Sequence, residues 1–444
     1  MAILLGNENL NVIEEVVLTS SQTYTARRTG TADVVCIGGG GQGGSNGKTG
    51  LILNNTTGGG AGGYSRKRIP ITAGDTFTVV IGAGGQASSS KLPGAGTLTA
   101  GGAGGESTFD HASATATIAL DSNGGLGGLA NQTTTASGAT YAGGAGGSAT
   151  GGDVNFTGGR GGTITRSNNA ANAGAFSTGG GAVAVQGTGF NGGDINFTAS
   201  GTYTVCSTGG AGIGGNGGNI AFDTSSTNAQ RATGGGSASG EGNGFTSTQM
   251  GATANPITAF AKTDMTIGGG RLPSHGGQAM CSSTSSVNIP IVAGNGGTGA
   301  PRATLAGHNT DSYDSIYGGN DRPAETIDTA SSQGDTGDVN LATLYTQPTG
   351  PGGGGGSACA ASNANTPATQ VVAAGNGATF AGGGAACTLL GVELASSTGV
   401  MSGNGRGGMA GGGSGACHLG CNASNSTIEW ASGGDGVVVI QYLG

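Results

Sequence analysis

The residues whose types and spacing could do chemistry are few. Gly43-Gly44-Ser45-Asn46-Gly47-Lys48-Thr49 ends in Gly-Lys-Thr after an apolar run, as a phosphate-cradling loop does. Such a loop needs a glycine five positions before Gly47, where Gln42 stands, and a helix behind it to aim its dipole at phosphate. Gly50-Leu51-Ile52-Leu53-Asn54-Asn55 is no such helix, so nucleotide binding is not expected. Cys417-His418-Leu419-Gly420-Cys421 brings two thiols and an imidazole together, and with Cys387 or Cys359 the set would reach four metal ligands. No CxxC spacing supports it. Cys36, Cys206, Cys281, Cys359, Cys387, Cys417 and Cys421 are odd in number and irregularly spaced. They read as small buried apolar residues, neither a metal set nor a disulfide framework. His111, His275, His308 and His418 each stand in a different glycine-rich setting, outside any nucleophile or metal motif. Paired carboxylates for glycoside hydrolysis are visible only in space. An aromatic-lined sugar cleft is hard to build from one Trp and 8 Tyr. The expectation is a protein that is not an enzyme, with no catalytic residue, no cofactor and no metal.

The richest local collection of Tyr, Asp and Arg runs from His308 to Pro323. Tyr313, Asp314, Tyr317, Asp321 and Arg322 are the candidate contact residues: Tyr gives amphipathic area at small entropy cost, and Asp and Arg can bond sugar hydroxyls. The alternatives are a solvated surface loop and a cation held by Asp311, Asp314 and Asp321.

The elements that position such a loop must be built without bulky side chains. Gly accounts for 103 of 444 residues, while aromatics are 4% and charged residues 9% of the chain. Collagen is excluded, because Gly does not recur at every third position and Pro is only 10. Disorder fits poorly with a chain this sparsely charged. A net charge of -8 leaves no basic footprint for nucleic acid and no polybasic membrane patch. No stretch approaches the roughly 18 apolar residues of a membrane helix. The opening residues Met1 to Glu15 lack a positive leader, so folding in a cytoplasm is expected.

Strands are predicted at both ends: Ala32 to Ile37, which stops at Gly38-Gly39-Gly40-Gly41; Tyr64 to Ile71 and Asp75 to Ile81, joined by the turn Thr72-Ala73-Gly74; and Gly436 to Leu443. Phe77, Val79 and Ile81 share one face of their strand. The terminal strand needs a partner far away in sequence, and the amino-terminal strands supply the simplest one. Between them lie glycine blocks and a loose repeat, Gly151 to Thr157, Gly192 to Thr198, Gly217 to Asp223 and Gly337 to Thr343, whose uneven spacing argues against a regular solenoid. Glycine runs such as 101–105, 143–147, 209–218 and 352–356 can adopt a threefold extended helix that makes no hydrogen bonds within itself, so its amides must bond to neighbours. The expected fold is mainly β with very little α-helix: a small β-sandwich formed by both chain ends, plus a bundle of polyglycine-II-like extended helices and short strands. The divisions are an arm (1–16), the first sandwich strands and glycine loops (17–110), a glycine-rich body (111–430) and a closing strand (431–444).

The layout of Val34-Val35-Cys36-Ile37-Gly38-Gly39-Gly40-Gly41, then Gly58 to Tyr64, then Ile71 to Gly85, closing at Gly433 to Ile440, resembles the glycine-rich domain of bacteriophage tail-fibre and adhesin proteins. It is also similar to the extracellular glycine-rich domain of certain receptor tyrosine kinases. The resemblance implies a β-sandwich base carrying packed threefold glycine helices that present variable loops to a host surface. On that basis the expected protein is a virion structural component assembled in a bacterial cytoplasm, a tail-fibre or adhesin part. Its expected partners are other virion proteins, further copies of itself, and a host saccharide or outer-membrane protein, with no nucleic acid and no membrane insertion. An architectural capsid-fibre, decoration or baseplate role is the alternative. Tip adhesins of T-even-like phages attach through a separate amino-terminal domain, whereas here the strand signal begins near residue 17.

Overall fold

The computed structural model describes residues 12–46, 53–86, 91–93, 98–112, 117–133, 138–166, 173–185, 187, 189–197, 203–222, 229–236, 279–282, 289–292, 302–304, 314–316, 325–328, 354–355, 357–362, 370–374, 376–390, 400–403, 405–419, 427–429 and 431–444. Among these the fold is all-β, and no helix is long and apolar enough to cross a membrane.

Both chain ends build the first sheet. The terminal strand Val437–Leu443 lies antiparallel between Val12–Leu18 and Gly30–Ile37, followed outward by Tyr64–Ile71 and Val154–Phe156. A second sheet, in the order Ala149–Thr150, Thr117–Ser122, Ser107–Ala112, Thr76–Val80 and Gln22–Thr25, packs on its face. Alternation of side chains explains the match: Val34, Cys36, Val438 and Ile440 meet Phe77, Val79, Phe109 and Leu120 in one core, with Ile81 partly buried at its margin. The hydroxyls of Tyr24 and Tyr442 join the two sheets at 2.8 Å. The turn joining the strands of Phe77 and Ile69 is closed by Asp75, whose amide donates to the Thr72 carbonyl while its carboxylate accepts from the Thr72 amide. Gly74, at φ 96°, supplies the left-handed residue there.

The opposite face of the first sheet, carrying Val35, Ile37, Val437 and Val439, is also covered. Its cover is Val183, Val185, Phe380 and Ala410, which sit where glycine segments reverse. Phe380 and Ala410 hold positive φ of 68° and 58°, left-handed conformations that cost about 1 kcal/mol each, in tight turns closed by the Ala381 and Gly411 amides.

Glycine segments run from this sandwich to a second group of sheets. Residues 38–44 lead to Ser45–Asn46, 57–63 return from Leu53–Thr56, and 123–129 lead to Ala130–Thr133. Extended chain of that length spans about 20 Å. Within segment 38–44 every amide is bonded, and the acceptors rotate with a period of three. Gly38, Gly41 and Gly44 donate to Gly63, Gly60 and Thr57, Gly39 and Gln42 to Gly105 and Gly102, and Gly40 and Gly43 to Gly434 and Ala431. Its carbonyls accept in turn from Gly125, Gly128, Gly85 and Gly413. Such packing leaves no room for a side chain: a Cβ on Gly41 would fall inside the Leu126 carbonyl, and one on Gly180 inside that of Gly412.

The far end is a stack of four sheets. The outermost holds Ala139–Tyr141, Ile164–Arg166, Ile195–Phe197 and Ile220–Phe222. Its Ile164, Ile195, Phe197 and Ile220 pack on Leu53, Phe176 and Cys206 of the next sheet, which includes Leu53–Thr56, Ala173–Ser177, Tyr203–Ser207 and Ala229–Ala232. A third sheet (Ala358–Ser362, Ala386–Leu390, Ala416–Leu419) and a fourth (Gln370–Ala373, Val400–Gly403, Thr427–Glu429) complete the stack. Apart from Ala139–Tyr141, which pairs antiparallel with Ile164–Arg166, these successive strands pair in parallel and in register, as with Ile164, Ile195 and Ile220 or Phe176 and Cys206. Uneven spacing argued against regular coils, yet the coils stack, because the length differences fall in the connections and not in the strands. The repeat at Val154–Phe156 belongs instead to the sandwich.

Candidate functional site

Two regions of the scaffold present chemistry: the outer face of the glycine lattice and the far-end sheets. The face is one layer of neighbouring segments, 82–86, 100–105, 123–129, 142–148, 157–163, 189–194 and 216–219, joined edge to edge by bonds such as Gly105 to Ala83, Gly104 to Gly125, Leu126 to Ala145 and Gly161 to Gly144. Every third residue points outward, so Ala83, Ala103, Leu126 and Ala145 form an exposed row of small and apolar groups. Leu126 is the most prominent, at 55% exposure.

Toward segment 189–194 the face turns polar. Arg160 makes a two-pronged ion pair with Asp194, both bonds 2.7 Å, and also donates to Thr163 Oγ1 and the Gly161 carbonyl. Hydrogen bonding to Asp194 holds the Arg160 guanidinium still more firmly charged. The same two sequence positions cap amides along successive coils. Asn191 Oδ1 accepts from Arg160, Asn216 Oδ1 from Asn191, Asp194 Oδ1 from Thr163 and Asn219 Oδ1 from Asp194. Deeper in, Thr178, Thr208 and Thr233 form a matching column, donating to Gly162, Gly193 and Gly218. These are positioning contacts: they fix each coil against the next, so the strand ends beyond them are held in place.

Tyr313, Tyr317, Asp321 and Arg322 lie outside the described residues; Asp314 begins the strand Asp314–Ile316, paired antiparallel with Arg302–Thr304. Asp311 is likewise outside. Of the pseudo-phosphate loop, Gly43 and Gly44 have their amides committed to Ala431 and Thr57, so neither is free to hold phosphate. Gly47, Lys48 and Thr49 are outside the described residues.

Cys417 stands in register beside Cys387, which stands beside Cys359, on adjacent parallel strands. His418 is one position on, beside Thr388, and Cys421 lies outside the described residues. Among the described residues no three His, Cys, Asp or Glu side chains gather as a metal site would require. Cys36, Cys206, Cys387 and Cys417 are thiols buried to 0% exposure, outside any disulfide. Burial pushes the Cys36 thiol up to about 12, and it donates to the Ser107 carbonyl. His111 bonds the Thr76 carbonyl at 2.8 Å through Nδ1 and packs on Phe77.

Sequence reasoning missed the face and its caps. Their signal was present as Asn191 and Asp194 before Ile195 and Asn216 and Asn219 at the matching places before Ile220, readable only once the coils are aligned.

The sequence profile described as "Glycine-rich domain" matches residues 17–255, more than half of the 444-residue chain. The chain belongs to this glycine-rich domain family. No curated protein matches it. The matched residues include segments 38–44, 57–63, 123–129 and 178–183, whose amides and carbonyls carry the lattice.

Proposed function

We propose that this glycine-rich domain protein is a structural component of a bacteriophage particle, a tail-fibre or adhesin part that recognises the bacterial surface. The glycine segments in this reading are polyglycine-II helices, as the period of three in the donors of segment 38–44 supports. The observation that carries the proposal is the division of labour along each pass of the chain. A double-covered sandwich stands at one end, cross-bonded glycine segments in the middle, and short in-register strands at the far end. Such a scaffold fixes the strand ends without using the sequence of the connections between them, which is what a surface-recognising protein with changeable specificity needs. The sandwich serves attachment to other virion proteins or further copies of the chain. Tyr313, Asp314, Tyr317, Asp321 and Arg322 contact a host saccharide or outer-membrane protein.

The test is binding of the fluorescently labelled protein to bacterial cells before and after surface polysaccharide is stripped, together with competition against phage adsorption. Saturable binding that blocks adsorption, and a loss of about tenfold or more in a Tyr317→Ala, Arg322→Ala double variant, is expected. Antibody labelling of the protein on particles with no cell binding at all would favour the architectural alternative and overturn the recognition role.

A further inference from the structure

Arg166 closes the strand Ile164–Arg166 and points into the seam between the two outermost far-end sheets. It is 2% exposed, and its Cζ stands 5.7 Å from the centre of the Phe176 ring in the facing sheet. Buried with it, Nε and Nη2 have no hydrogen-bond partner. Those two atoms form one edge of the guanidinium, the edge whose parallel donors match two oxygens of a carboxylate.

The facing sheet completes the arrangement. Phe176 is in register with Asn55, and Asn55 with Asn131, so all three project from the same side. That side looks at Arg166, because Phe176 packs on Ile164 and Phe197 of the opposite sheet. Asn55 is 1% exposed, and neither its Nδ2 nor its Oδ1 has a partner; the Oδ1 of Asn131 is equally unbonded. No hydrogen bond fixes which way the Asn55 amide is turned, so its NH2 is available to an anion in the seam. A full positive charge and unbonded amide groups thus line the same seam from its two sheets. Burial pulls the Arg166 pKa down but leaves an arginine charged. An uncompensated buried cation of this kind is costly, and a small anion bonded to the same donors removes the cost.

We infer that the seam at Arg166, Asn55 and Asn131 is a binding site for a small monovalent anion, a carboxylate or a halide, which acts as the counter-ion that locks the two outermost sheets together. Chloride and acetate are the probes, and the full-length protein is the sample. Melting is followed in chloride, acetate and sulfate at matched ionic strength, alongside chloride NMR linewidths of the folded protein. Chloride, acetate or both should raise the melting temperature saturably, with sulfate ineffective; whichever binds more tightly names the occupant. Broadened chloride lines should narrow as acetate is added. Arg166→Lys, which keeps the charge but lacks the paired donors, should weaken half-saturation at least tenfold. Arg166→Met should abolish the anion dependence. If no anion shifts the melting curve of the unaltered protein, an acidic side chain of the chain itself or ordered water fills the seam, and the inference is wrong. An equal shift in unaltered protein and both variants would overturn it as well.

Discussion

Asp33 is buried in the first sandwich sheet, with its carboxylate held by Arg66 at 3.0 Å and Arg68 at 2.8 Å from the neighbouring strand. Burial alone would raise its pKa, but the Arg68 hydrogen bond and the Arg66 charge outweigh it and hold the carboxyl below the usual aspartate range. A folded-state pKa below the unfolded one means stability that is present above about pH 4 and lost as pH falls through the lowered value. Asp33→Asn should therefore cost about 3 kcal/mol in urea unfolding at pH 7, with the gap to the unaltered protein narrowing below pH 4. A pH-independent gap would assign the loss to packing. The thiols of Cys36, Cys206, Cys387 and Cys417 make a second prediction at this scale. All four are at 0% exposure, so mass spectrometry after treatment with a disulfide reagent should find them unmodified in folded protein and modified in denaturant. Modification at the native rate of a free thiol would contradict their placement.

At the scale of the element, the glycine segment is defined by what it excludes. The Cβ of Gly41→Ala would collide with the Leu126 backbone, and both segments are bonded on several sides, so neither can move aside. The expected cost is about 3 kcal/mol or more, measured by chemical denaturation. Leu126→Ala, on the exposed outer row of the same contact, should change stability by less than about 0.5 kcal/mol. Equal effects would mean that the segments do not touch. The strands were legible in sequence for ordinary reasons. Val34 to Ile37 and Val437 to Ile440 are apolar, mostly β-branched runs stopped or preceded by glycine, and the Thr72 to Asp75 turn carries its own closing carboxylate. The turns at Phe380 and Ala410 were not legible, because a left-handed position normally announces itself by Gly or Asn. Phe380 is kept there by its burial beneath the first sheet. The seam at Arg166 was illegible too: Asn55 and Asn131 reach it only through strand register.

Over the whole molecule, stability comes from main-chain bonding between segments distant in sequence. Gly40 bonds Gly434, Gly59 bonds Gly413 and Gly180 bonds Gly383, so the chain closes on itself many times through its backbone alone. A conventional core exists in the sandwich and between the outermost far-end sheets, but the middle has amides where other proteins have leucines. Composition made this legible as a class of solution, since so much glycine in a sparsely charged chain must be ordered to be soluble. It did not reveal the order of the layers, because nearly identical glycine runs carry no label saying which neighbour each one meets. The contact residues from Tyr313 to Arg322 rest on composition alone, since a local cluster of Tyr, Asp and Arg carries no period or register that ties it to a lattice segment. Ordering glycine costs on the order of 1–2 kcal/mol per residue, which only cooperative bonding offsets, so the lattice should open as a unit and not segment by segment.

Residue-resolved amide hydrogen exchange on the folded protein tests this most directly. Every amide from Gly38 to Gly44 has an acceptor in another segment, whereas in the outer segment Gly125, Leu126 and Gly128 are bonded and Gly124 and Gly127 are not. The interior run should exchange uniformly slowly. In the outer run, Gly124 and Gly127 should exchange faster than their neighbours by about 1,000-fold, corresponding to about 4 kcal/mol of opening free energy. Rapid exchange throughout 38–44, or an outer segment without the period of three, would contradict the cross-bonded lattice.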